Sequence, residues 1–305
     1  MNPDDWTISR RQWLFSALAL ASMGADDPAQ DPRLAAIRAR ARKAEMQGFD
    51  ESMSAHYVAI GDTSEKFRTE ALSVCEAVAA DYFKTFKDKG FELTWPKEKM
   101  VVVVLLGPKS YAAYEGAFID EAIGGHFDLE ANQLVMFDFR GPGANPKAPI
   151  PEQDNTLALV HETVHQLTFN SGLLGLKADV PKCISEGLAT YAETWAPRRK
   201  QKMGERNRRR LLGLELASRQ GVKWIPTAQL IAEDKWLDDE PTIQIAYAES
   251  WLLVSKLLNS SARLPRFRDY LAALRGKPDP SRRIEIATEH LGDLEKLDKE
   301  IRVGR

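Results

Sequence analysis

The chain is predicted to adopt an α+β fold: a small mixed sheet with an edge-strand hairpin in the N-terminal half, packed on a helical C-terminal half. Three observations predict this. The apolar runs short enough to be strands, His56–Ile60, Met100–Leu106 and Gln133–Phe139, all fall before residue 140. Helical segments alternate with them, the pattern of a mixed layer structure. Beyond a Pro/Gly-rich connector, Arg140–Asp154, the apolar positions recur only at helical spacing.

The chain begins with Ser9-Arg10-Arg11-Gln12-Trp13-Leu14, an apolar run from Leu14 to Ala21, and Ala19-Leu20-Ala21 before small residues. Paired arginines, a modest apolar stretch and an A-x-A-like site resemble a twin-arginine export signal, residues 1–25, with the mature chain starting near Ser22. The alternative is an amphipathic helix at the start of a cytoplasmic protein. The apolar run is too short to span a bilayer, and no cysteine follows it to carry a lipid. The expectation is therefore an exported protein, periplasmic or secreted, without a stable membrane anchor.

A charged, alanine-rich helix follows at Pro32–Gln47, then the strand His56–Ile60. Asp62-Thr63 reads as the cap of a long helix, Ser64–Lys87, with apolar positions at Phe67, Leu72, Val78, Tyr82 and Phe86. Met100–Leu106, valines and leucines bounded by charge and Gly107-Pro108, reads as a buried strand. A helix over Lys109–Phe118 and a hairpin, Gly124–Asp128 returning through Gln133–Phe139, complete a mixed α/β subdomain, 26–154. Residues 155–305 form the helical subdomain, with helices at Asn155–Asn170, Pro181–Trp195, Arg206–Arg219 and Pro241–Asn259 and shorter ones beyond.

At 305 residues, 44% hydrophobic and 28% charged, the composition is that of a globular protein able to bury a sizeable core. A formal charge of −2 gives no reason to expect nucleic-acid binding. Two cysteines, Cys75 and Cys183, cannot form a disulfide framework and read as two separate thiols.

The chemistry concentrates in His161-Glu162-Thr163-Val164-His165, inside a helical segment of a chain with only five histidines. Histidines four apart share one helical face and can converge on one metal, while the adjacent Glu162 reaches the same site without being a ligand. A catalytic zinc site has three protein ligands and one open position. The candidate third ligand is Glu186 in Glu186-Gly187-Leu188-Ala189-Thr190-Tyr191, on the next helix, brought back by a turn through Ser171-Gly172 and Gly175. Small Gly187 and Ala189 let two helices approach closely there. The competing reading is two polar histidines on an amphipathic helix with no metal.

His-Glu-x-x-His followed by Glu-Gly-x-Ala-x-Tyr resembles the gluzincin zinc metallopeptidases, the thermolysin-like clan, and most closely a subgroup of exported bacterial proteins. Gly125–Asp128 through Leu134–Phe137 is similar to that clan's edge strand above the cleft, and Tyr247-Ala248-Glu249-Ser250-Trp251 to a later helix. The resemblance implies a zincin-like fold and a zinc-dependent metallopeptidase that hydrolyses peptide bonds with zinc-activated water. It implies His161, His165 and Glu186 as Zn2+ ligands and Glu162 as general base, with a peptide or protein as substrate and partner. Tyr247 is the candidate for binding the developing oxyanion, with Tyr191 a competing phenol. The alternative on the same scaffold is a catalytically inactive peptide-binding or cell-envelope-associated protein.

Three features depart from that pattern or lie beside it. The position one turn after the third ligand, where the clan places a carboxylate, is Thr190, and Glu193 is the candidate to orient a ligand histidine instead. His126 stands where an aromatic is usual, and either faces the cleft or is an ordinary strand residue; His56 and His290 read as surface or structural. The run Arg198-Arg199-Lys200-Gln201-Lys202, with Arg206 and Arg208–Arg210, reads as a solvated basic face, with docking to an anionic partner as the alternative.

Overall fold

The fold is that of a computed structural model, which describes residues 31–116, 124–142, 151–196, 200–239, 241–276 and 279–303. The twin-arginine stretch and its cleavage site lie outside the described residues, as do Arg198 and Arg199. The fold is α+β as expected.

Strands β2 (Tyr57–Gly61) and β3 (Met100–Leu105) are buried at every residue. Valine-rich, two-sided burial suits parallel pairing, and β3 runs parallel to both β2 and β5 (Gln133–Phe137). β1 (Asp50–Met53) and β4 (Gly125–Asp128) add antiparallel edges, giving the order β1-β2-β3-β5-β4. The strict alternation of side chains sorts the sheet's two faces. Tyr57, Ala59, Val102, Val104, Leu134 and Met136 meet α2 (Glu65–Asp88) and α4 (Pro151–Asn170). Val58, Ile60, Val101, Val103, Val135 and Phe137 meet α1 (Pro32–Lys43) and α3 (Pro108–Glu115).

The remaining helices, α5 (Lys182–Ala192), α6 (Arg208–Arg219), α7 (Thr227–Ala232), α8 (Ile243–Asn259), α9 (Leu264–Leu274), α10 (Arg283–Leu291) and α11 (Leu294–Val303), stack beyond α4. One core cluster runs from Tyr57 to Ile301 and so crosses the boundary expected at 154/155. α4 joins the two compositions, packing on α2, β4 and β5 on one side and α5 on the other.

Several element ends differ from expectation. The cap of α2 is Ser64, whose Oγ accepts from the Phe67 N–H at 3.3 Å. Asp62 instead accepts from the Leu106 N–H at 2.8 Å and from the Ser110 hydroxyl, tying the end of β3 to α3. α4 starts at Pro151, and Asn155 lies inside it, where its amide accepts from the Phe139 N–H and donates to Asp138, both at 2.9 Å. Cys75 and Cys183 are buried and unpaired, and burial pushes the Cys75 thiol up to about 12. Among the described residues no helix is long and apolar enough to cross a membrane.

Candidate metal centre

α4 carries two working faces. Leu159, Val160, Val164 and Leu167 are buried in the core, and the buried Gln166 amide donates to the Val101 carbonyl at 3.0 Å, fixing the helix against β3. His161 and His165, four residues apart, face the other way, toward α5. Past Asn170 the chain turns through Gly172, whose φ of +84° lies in the left-handed region that glycine adopts freely. The return segment starts α5 at Lys182, its N–H held by Asp234 at 2.9 Å. α5 then packs against α8 so closely that a Cβ on Gly187 would lie 2.6 Å from the Ser250 carbonyl oxygen and 2.4 Å from Val254. Only glycine permits that approach, and it sets the height of Glu186 beside the histidines.

The result is a triangle of donor atoms. Glu186 Oε2 lies 3.1 Å from His161 Nε2 and 3.3 Å from His165 Nε2, and the two Nε2 atoms are 3.2 Å apart. The side chains are only 12%, 10% and 18% exposed. Among the described residues this is the one group of His, Cys, Asp or Glu side chains placed to hold a metal ion. Burial raises the Glu186 carboxyl, but the two imidazoles outweigh it and hold the group well below the usual carboxylate range. Burial likewise pulls His161 down, and the carboxylates of Glu186 and Glu193 overcome it, pushing the imidazole up to about 10. The carboxylates and imidazoles thus stabilise each other's charged forms.

Glu193, just past the end of α5, takes the opposite nitrogen of His161: Nδ1 donates to Oε1 at 3.0 Å. A carboxylate only accepts, so this bond fixes the Nδ1 proton and leaves Nε2 aimed into the triangle. Glu193 is 3% exposed and is itself gripped from α6. Asn207, the cap of α6, donates to Oε2 at 2.9 Å, and Arg210 forks onto both oxygens. Burial raises Glu193, yet the His161 bond and the Arg210 guanidinium bring it down to about 2. Thr190, one turn after Glu186, offers no carboxylate, and its hydroxyl donates to the Glu186 carbonyl at 2.7 Å.

Tyr247 on α8 joins this neighbourhood, its ring centroid 6.3 Å from that of His161 and 4.7 Å from the Arg210 guanidinium carbon. Tyr191 does not. It is buried, with its hydroxyl donating to Asn259 at 2.9 Å. Glu162 is half-buried beside His161 and outside the donor triangle, and its charge acts on the His161 imidazole.

His126 lies on the other face of the sheet: its Nδ1 is 2.5 Å from the Tyr111 hydroxyl, and its Nε2 is 4.0 Å from Glu115. The neighbouring Phe127 is the β4 side chain turned toward α4, stacking on Phe169. His56 bonds Glu76 at 2.8 Å and stacks on Trp95, and His290 lies in the last turn of α10. Arg206, Arg208 and Arg209 are exposed, as a solvated face requires, but Arg210 departs from that reading by turning inward. A sequence signal for it exists: Arg210, Leu214 and Ala217, spaced i, i+4, i+7, share the inner face of α6.

A family described as "Protein of unknown function (DUF1570)" matches residues 155–277. That stretch supplies His161, Glu162, His165, Glu186, Glu193, Arg210 and Tyr247. None of the curated proteins matches the chain.

Proposed function

We propose that the chain is an exported, zinc-dependent metallopeptidase of gluzincin type that hydrolyses peptide bonds. The observation that carries this reading is the donor triangle. A tetrahedron built on metal–ligand bonds of about 2.0–2.1 Å has edges of about 3.3–3.4 Å, and the three atoms sit 3.1–3.3 Å apart. Two imidazoles and one carboxylate are the donor set of a zinc site with a position left open, since the described residues supply no fourth ligand. A closed structural site would have no use for Glu162.

Zinc, when bound, supplies the Lewis acidity that acidifies water and polarises a carbonyl. The chain's own residues do the rest. His161, His165 and Glu186 hold the ion, and Glu193 keeps the His161 lone pair pointed at it. Glu162 takes the proton from the attacking water and delivers it to the departing amine. Tyr247 donates its phenolic hydrogen bond to the developing oxyanion. An extended peptide is aligned along the edge strand β4, where backbone pairing gives affinity with little selection among side chains.

The deciding experiment is elemental analysis of the purified mature protein alongside Glu186→Ala, followed by a peptide-pool assay of Glu162→Gln. Near-stoichiometric zinc that falls sharply in the first variant, and zinc retained with turnover lost in the second, are expected. Hydrolysis that is the same in Glu162→Gln as in wild type removes the base assignment. Zinc without any hydrolysis by wild type favours a peptide-binding, envelope-associated protein.

A further inference from the structure

We infer that Arg210 is a positioning residue which sets the zinc-ligand histidine and Tyr247 together, through one guanidinium shared between them. Its metal readouts rest on the zinc reading above. The residue sits in the first turn of α6, in a run of three arginines whose first two are exposed. Its Nε donates to Glu193 Oε2 at 2.9 Å and its Nη2 to Oε1. The same guanidinium lies over the Tyr247 ring, 4.7 Å from its centroid. Glu193 Oε1 in turn receives the His161 Nδ1 proton at 3.0 Å. One planar group therefore touches both the carboxylate that aims His161 and the phenol placed to meet the oxyanion.

Geometry, and not charge alone, is what this arrangement uses. A fork onto both oxygens of a carboxylate fixes the plane of that carboxylate, and so fixes where the guanidinium carbon sits over the Tyr247 ring; a lysine ammonium, a point charge on a flexible stem, sets no such plane. The clamp is also set by the backbone. Asn207 accepts from the Arg210 N–H at 3.1 Å as helix cap, while its amide donates to the Thr190 carbonyl at 3.1 Å and to Glu193 at 2.9 Å. The start of α6 is thereby fastened to the end of α5, so the guanidinium approaches Glu193 from a fixed base. α6 packs along α8 as well, and that contact presents Tyr247 to Arg210.

The plainer alternative is that Arg210 only neutralises a buried carboxylate. Two comparisons in the full chain separate these roles: Arg210→Lys against wild type, and the double variant Arg210→Gln/Glu193→Gln against Glu193→Gln alone. The readouts are zinc affinity, the visible spectrum of the Co2+-substituted protein, and the 19F resonance of 3-fluorotyrosine at position 247, assigned with Tyr247→Phe. A positioning role predicts that Arg210→Lys binds zinc about 10–100-fold more weakly, with a changed Co2+ band and a displaced Tyr247 resonance. It predicts the same displacement in the double variant relative to Glu193→Gln, although no buried charge is left unpaired there. Wild-type zinc affinity, Co2+ band or 19F resonance in Arg210→Lys, or a double variant indistinguishable from Glu193→Gln, overturns the inference. A wild type that takes up no zinc removes the peptidase reading. The 19F comparison needs no metal, and in that case it still decides whether Arg210 seats Tyr247.

Discussion

Two histidines on opposite faces of the same sheet are paired with carboxylates, yet only one of them joins a converging cluster of donor atoms. His126, on β4, points to the α1/α3 face, with the Tyr111 hydroxyl on Nδ1 and Glu115 4.0 Å from Nε2. His161, on α4, has Glu193 on Nδ1 and shares the space beyond Nε2 with His165 and Glu186. The ingredients are alike, but the convergence is not. On a strand the next residue on the same face is two away and nearly parallel, so His126 has no second histidine to meet. On a helix the residue four away stands directly beside the first, and a second helix closes the triangle from the front. A ligand set needs three atoms aimed at one point, and the element type decides whether spacing can deliver that.

On the zinc reading proposed above, the largest effect that tests this contrast is loss of zinc. His161→Ala is expected to lose the ion and with it all turnover, whereas His126→Ala retains wild-type zinc content. His126→Ala should lower stability by only about 1 kcal/mol, the size of one partly buried hydrogen bond. Equal zinc content in the two variants would erase the distinction between the faces. Next comes Glu162→Gln, expected to keep zinc while losing about 10²–10⁴-fold in kcat, the range for a removed general base. The same substitution at Glu115 on the opposite face should leave kcat unchanged.

A smaller effect probes how the triangle is closed. Gly187→Ala places a methyl against the Ser250 carbonyl and Val254, neither of which is the loose end of a long side chain. The expected cost is about 1–3 kcal/mol, read as a lower Tm, from forcing α5 off α8. Because Glu186 precedes Gly187 on that helix, zinc affinity should fall with Tm. A Tm loss with unchanged affinity would show that Glu186 reaches the site independently of the α5–α8 spacing.

The sequence carried the centre better than its supports. His161, Glu162 and His165 are legible because one local period places them, and Glu186-Gly187 because a small residue beside a carboxylate suits two close helices. Glu193 was legible only as the nearest carboxylate once Thr190 was seen to lack one. β1 was not legible: Asp-Glu-Ser-Met has no alternation, and it becomes a strand only because β2 offers it an edge. Asp62, Thr63 and Ser64 are three good capping residues in a row, so spacing alone does not choose the cap of α2; Ser64 takes it because Asp62 is held by β3 and α3. Arg210 was hidden for the opposite reason. Its neighbours share its chemistry, and only the register of α6 sends the third arginine inward.

The third histidine–carboxylate pair, His56 with Glu76, gives the smallest and most general test. Burial raises the Glu76 carboxyl, but the Ser54 hydroxyl, the His56 ring and the His56 N–H, at 2.7–2.8 Å, together lower it below its ordinary value. A carboxyl lowered in the folded state adds stability above its unfolded pKa of about 4.3, and that stability is lost as the pH falls through the folded value. Glu76→Gln should therefore destabilise at pH 6–7 by at most about 1 kcal/mol, given the partial exposure of the pair. Below the folded pKa the difference should shrink toward zero. Paired Tm measurements from pH 7 down to pH 3 check this. A gap that is constant across that range would mean that Glu76 acts through packing alone, and that the three histidine pairs differ in more than convergence.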